Sequence, residues 1–141
     1  MFDKILLAVD GSSCALDAAK VAGNLARSAN SKQLRILTIY DSIPRYLLAP
    51  AQEALVEVHI KESELIIKDA VEKVGKIPGV LDTDILSGEA ADSIIEVAKD
   101  EKFDLVIMGA RGKGRLMGLL LGSHIHKVAT HAPCPVLIVR G

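Results

Sequence analysis

The chain has 141 residues, a net charge of −1 from 17 basic and 18 acidic side chains, and a composition that is half hydrophobic. That length fits one domain, residues 1–141, large enough to bury a core without disulfides or a structural metal. Aromatic residues make up only 3%, so the core is aliphatic, and the stacking platforms that grip single-stranded nucleic acid are not expected.

The opening, MFDKILLAVD, puts an acid and a base ahead of a very short apolar run. That is unlike a signal peptide, and no apolar stretch approaches the roughly 18–20 residues that cross a bilayer. Neither a membrane nor nucleic acid is expected as a partner, and the expected compartment is the cytoplasm. Cys14 and Cys134 form no CxxC and no zinc spacing, and read as small apolar packing residues.

Ile5–Val9 is a continuous apolar run closed by Asp10-Gly11, which predicts a strand buried on both faces. Ser12-Ser13 offers a cap, and Ala15, Ala18, Ala19, Ala22, Leu25, Ala26 and Ala29 recur with helical period. Leu34–Tyr40 is the second strand, and Asp41–Pro50 a loop with two prolines. A long helix follows with Leu55, Val58, Leu65, Ile66, Ala70 and Val74 on its inner side, ended by Gly75 and Pro78-Gly79. Val80–Leu86, broken by Asp82 and Asp84, has the alternation of a half-exposed edge strand. Ala90–Lys99 is a helix with Ala91, Ile94, Ile95 and Ala98 turned inward, and Leu105–Met108 a fully apolar strand. Ser123 is expected to cap a short helix carrying Ile125, Val128 and Ala129, and Val136–Val139 is the last strand.

Strict alternation of five strands with four helices predicts an open α/β sandwich of parallel strands joined by right-handed crossovers. In such sheets ligands bind beyond the carboxyl ends of the strands, where strand order reverses. Two strand ends carry loop chemistry, Val9-Asp10-Gly11 and Met108-Gly109.

The second of these opens a glycine-rich segment running from Met108 to Ser123. Glycines let backbone approach a ligand closely, and successive bare N–H groups form an anion-binding nest. The nests Gly109–Gly112 and Gly122–Ser123, the latter at a helix start, are placed to grip a polyphosphate from either side. Charge agrees: Leu105–Gly141 holds five cations and no acid, leaving twelve basic against eighteen acidic residues in 1–104. Of those cations Arg111, Lys113 and Arg115 lie within the loop as supporting electrostatics.

Two well-known phosphate motifs fail. Gly109 and Gly114 half-match GxxxxGK[ST], but Arg115-Leu116 stands in place of Lys-Ser/Thr. Gly112, Gly114 and Gly118 only echo GxGxxG, with the third glycine one residue late and no acid downstream. What is present is Gly-x2-Gly-x9-Gly-Ser at Gly109, Gly112, Gly122 and Ser123.

That spacing, together with the opening KILLAVDGS, the stretch DLVIMGARGKG and the close GSHIHKVATHAPCPVLIV, resembles the ATP-binding subgroup of the universal stress protein family along the whole chain. The resemblance implies a Rossmann-like sheet of order 3-2-1-4-5 and a site between the first and fourth strands. It implies an adenine pocket using backbone at Ile39, with Ala8, Val9 and Asp10 on the other side near the metal-linked phosphates. Met108 and Gly109 are implied on the ribose side, and Gly112, Gly122, Ser123, His124 and Ile125 around the phosphates. Arg111 joins this set through its charge. The implied cofactor is ATP, or AMP or ADP, with Mg²⁺ or Mn²⁺ carried on the phosphates. Ala8 stands where some family members have proline, a change of backbone rigidity only.

No protein-held metal site is expected from His59, His124, His126 and His131, because the two closest point to different sides of a helix and no acid or cysteine completes a set. The last strand, Val136–Val139, falls at a sheet edge without polar alternation, and pairing with a second copy would cover it. A homodimer through that strand is also what the resemblance implies. The expected function is an ATP-binding sensor or switch with little or no turnover, since no catalytic set stands out. A slow ATPase, with Asp10 positioning metal or water and Arg111 neutralising charge, stays open, as does a nucleotide-independent dimerisation module.

Overall fold

A computed structural model describes residues 1–110 and 122–141. In chain order the elements are β1 (Lys4–Ala8), α1 (Ser13–Ala29), β2 (Gln33–Tyr40), α2 (Ala49–Val74), β3 (Val80–Ser87), α3 (Ala90–Asp100), β4 (Leu105–Gly109), α4 (Ser123–His131) and β5 (Val136–Val139). The strands form one parallel sheet in the order β3-β2-β1-β4-β5. The order implied by the resemblance is therefore the observed one, and the fold is an open Rossmann-like α/β sandwich.

The period of two along β1 divides the core into two layers. Ile5, Leu7 and Val9 pack with the alanine face of α1 and with Ile67, Ala70 and Val74 of α2. Leu6 and Ala8 face the opposite way, onto Ala91, Ile94 and Ala98 of α3 and Ile125 and Val128 of α4. Helices α1 and α2 thus cover one face of the sheet, and α3 and α4 the other.

Small residues bring α1 close to its neighbours. A Cβ on Gly23 would lie 2.2 Å from the Val74 carbonyl oxygen, so the α1–α2 crossing admits only glycine there. Ser12 caps α1 as its residue type predicts, its hydroxyl accepting from the Ala15 N–H at 3.1 Å. Asn30 ends the helix in the left-handed region at φ 52°.

Two local expectations are corrected. The buried residues of α2 are Ser63, Ile67, Ala70 and Val74, while Val58 and Leu65 are exposed at 50% and 63%. The helix carries more apolar residues than its core-facing stripe can take, so its apolar pattern alone overstated that stripe. At α4 the cap is Gly122, with no side-chain cap hydrogen bond, and Ser123 is already the first helical residue.

Both sheet edges are where the patterns predict. On β3, Asp82 lies in register with Arg35 of β2, which bonds it at 3.2 Å and also bonds Glu101 just beyond α3. Arg35 further lies 5.3 Å over the Phe103 ring. Hydrogen bonding to Glu101, and then to Asp82, pushes the Arg35 guanidinium pKa still higher than usual. On β5, Val136 and Ile138 pack beneath α3 and α4, and Leu137 points outward, 37% exposed. Among the described residues no helix is long and apolar enough to cross a membrane.

Candidate functional site

Leaving β1 the chain builds outward through β2 to β3, then returns to lay β4 on the other side of β1. The α1 and α4 connections therefore diverge above β1 and β4, and a cleft opens between them. It spans about 660 Å³, counting space open to solvent, within the range of roughly 300–1,000 Å³ usual for small-molecule sites.

Its floor is apolar. Ala8, Leu37, Met108, Ile94 and Ile125 line it from β1, β2, β4, α3 and α4, all five buried in the layer beneath. Val9, Ala15, Ile39 and Ala90 extend that wall. Polar groups stand on the rim: Asp10 and Ser12 before α1, and His124 in the first turn of α4. An apolar floor with a few fixed polar groups suits a flat, largely hydrophobic ligand moiety carrying a polar tail.

Asp10 is exposed, and its Oδ1 accepts from the Ser12 N–H at 3.0 Å across Gly11, whose φ is 85°. This is the side-chain turn that Asp-Gly favours before a helix, and it aims the acid over the cleft mouth. One residue thus makes the turn and lines the cleft.

Gly109 lines the cleft at the end of β4 and serves packing as well. A Cβ there would lie 2.8 Å from the Cys14 carbonyl carbon and 2.9 Å from its oxygen. The glycine lets the first turn of α1 sit against the strand end, which fixes the cleft's width on that side.

The opposite wall is tied by a group that residue types did not reveal. Glu89 caps α3, accepting from the N–H groups of Ala91 at 3.1 Å and Asp92 at 2.7 Å. Its Oε1 also lies 3.0 Å from His124 Nδ1, and Lys127 Nζ sits 3.7 Å from its Oε2 and 2.7 Å from Asp92 Oδ1. The Asp92 N–H foremost, with the Ala91 N–H and His124 adding to it, holds the Glu89 carboxyl down at about 2 against the opposing effect of desolvation. Asp92 chiefly pushes the Lys127 ammonium up. Glutamate is not a favoured cap, and the only signal in the sequence is its place after Gly88 and before a helical pattern.

The structure thus brings Ala8, Val9, Asp10, Ile39, Met108, Gly109, Gly122, His124 and Ile125 around one cleft. Ser123 is exposed on α4 between two of them. Arg111 and Gly112, with Lys113 and the rest of 111–121, lie outside the described residues. Sequence reading left Ser12, Ala15, Leu37, Ala90 and Ile94 out of the site. Leu37 was recoverable by stepping two residues back from Ile39 on the same face, and Ile94 from the inward stripe of α3. Among the described residues no group of three or more His, Cys, Asp or Glu side chains could hold a metal.

A parallel sheet with helices on both faces and a cleft at its switch point defines an α/β protein of the Rossmann-like class. The chain belongs to the universal stress protein family, whose sequence profile it matches over residues 1–140. It is 40% identical over 140 residues to a Thermus aquaticus universal stress protein encoded in the QAH/OAS sulfhydrylase 3′ region, covering 99% of this chain and all of that one. Among solved structures, UspA from Lactobacillus plantarum superposes with a TM-score of 0.87 at 27% identity, covering 99% and 98% of the two chains. A universal stress protein crystallised in complex with cAMP gives 0.74 at 26% identity, covering 97% and 96%.

Proposed function

We propose that this protein binds an adenine nucleotide, ATP foremost, in the cleft above β1 and β4, and acts in the cytoplasm as a nucleotide-dependent sensor or switch with little or no turnover. The observation that carries the reading is the convergence of three separate chain segments, Ala8–Asp10, Met108–Gly109 and Gly122–Ile125, on one apolar-floored cleft. The cAMP complex of a protein 26% identical over nearly the whole chain supports the same ligand class.

In this reading the base lies on the floor beside Ile39, and the ribose near Met108 and Gly109. The phosphates reach the free N–H groups at the start of α4, where Gly122 leaves backbone uncovered and the helix dipole favours negative charge. Arg111, Gly112 and Ser123 are assigned to the same phosphate region. Mg²⁺ or Mn²⁺ would ride on the phosphates with Asp10 facing it, lowering the charge that the amides must balance.

The test begins with freshly purified protein, denatured and searched for released nucleotide. The nucleotide-free protein is then titrated calorimetrically with Mg-ATP. Binding is expected, and Gly122→Val should abolish it by filling the backbone approach. No nucleotide carried and no heat at millimolar Mg-ATP would overturn the reading.

A further inference from the structure

We infer that the His124 side chain, held by Glu89, is a phosphate-contacting group that makes this cleft prefer nucleoside di- and triphosphates over the bare nucleoside. The inference rests on the nucleotide reading above and adds to it a side chain where that reading uses main-chain amides.

Four observations converge. His124 lines the cleft from the first turn of α4, one residue beyond Ser123. Its ring is not free to swing, because Nδ1 lies 3.0 Å from Glu89 Oε1. Glu89 is itself immobilised by two backbone N–H groups and by Lys127. Among the described residues Nε2 has no partner, although the imidazole remains 53% exposed. Glu89 accepts from the ring at Nδ1 and orients it, and the ring with its second proton on Nε2 donates from there to a phosphate oxygen.

The charges nearby make the role specific. Glu89 and Asp92 face Lys127 and His124 across the α3–α4 contact, and Asp10 stands on the far rim. An anionic ligand entering the cleft passes the Asp10 carboxylate on one rim and His124, backed by Glu89, on the other. The imidazole, drawn toward Glu89, puts its remaining nitrogen between that carboxylate and the incoming phosphate. Charge on the phosphate then strengthens the contact, whereas an uncharged nucleoside gains nothing from it. Glu89 is the positioning residue and His124 the contacting one.

The experiment measures Kd for Mg-ATP, ADP and adenosine with the full chain and with His124→Ala, His124→Gln and Glu89→Gln. Loss of one hydrogen bond to a charged group at a partly exposed site should weaken ATP about five- to tenfold in His124→Ala and leave adenosine unchanged. Glu89→Gln, which keeps the cap acceptor but not the charge, should lower the ATP-to-adenosine preference by a smaller factor. Because general damage to the fold would weaken both ligands together, the ratio of the two is the readout. Long-range ¹H–¹⁵N spectra should show the His124 Nε2 resonance moving with ATP and not with adenosine. Wild-type affinity for all ligands in His124→Ala, or equal losses for ATP and adenosine, would overturn this inference while the nucleotide reading stands. Wild-type protein that binds neither ligand would overturn both.

Discussion

Gly109 at the end of β4 lies so close to Cys14 in the first turn of α1 that a Cβ added to it would sit 2.8 Å from the Cys14 carbonyl carbon. Cys14 is itself buried, at 3% exposure. One glycine therefore both lines the cleft and sets how near two of its walls can come. Gly109→Ala should cost about 1–3 kcal/mol, the usual range for overpacking, because backbone rather than a flexible side-chain tip must move. Urea unfolding followed by circular dichroism measures this. A change below about 0.5 kcal/mol, the size of an ordinary surface substitution, would show that α1 retreats freely.

Glu89 gives stability a defined pH dependence. Its carboxyl titrates near 2 in the folded chain against an ordinary 4.5. A depressed carboxylate pKa contributes stability that is fully present above pH 4.5 and is lost as pH falls through about 2. Unfolding free energies measured from pH 5 down to pH 2 should therefore fall more steeply for wild type than for Glu89→Gln. The side chain is 41% exposed, so the difference at pH 5 should stay below about 1 kcal/mol.

Arg35 joins three elements through side chains that approach one another only in the folded sheet. It is 14% exposed, whereas Asp82 and Glu101 are 38% and 45% exposed. Arg35→Met keeps most of the packing over Phe103 but strands two carboxylates beside each other. A loss of about 1–2 kcal/mol is expected, between the values for surface and buried pairs. Raising salt should narrow the gap between variant and wild type in parallel denaturation series.

We propose that β5 pairs with its copy in a second chain, since Leu137 projects from an edge strand and is 37% exposed. Sedimentation velocity should find a dimer for wild type. Leu137→Asp should give a monomer with unchanged far-ultraviolet circular dichroism. A wild-type monomer at micromolar concentration would remove the proposal.

Strand positions were legible because β1, β4 and β5 are short apolar runs bounded by glycine, aspartate or proline and β3 alternates, local signals that need no partner to read. The cap at Ser12 was legible for the same reason. The core face of α2 was not: Val58 and Leu65 are apolar yet exposed, and Ser63 is polar yet 3% exposed. Burial there depends on where α1 crosses, which Gly23 and Val74 decide together. The rim of the cleft formed by Asp10, Gly109 and Gly122 could be anticipated from turn-forming residues at strand ends. Its floor was legible in part: Leu37 and Ile94 carry the right face and stripe, but only the packing of β2 and α3 turns that core-like pattern into cleft lining.

The order of strands and helices, the layering of the sheet and the place where a ligand would be sought are written in short-range patterns, because periodicity and turn chemistry act over a few residues. Tertiary structure alone decided that Glu89 meets His124, 35 positions away, and that Gly109 rests on Cys14. Such pairs depend on how crossover helices settle against the sheet, and no local pattern encodes that distance.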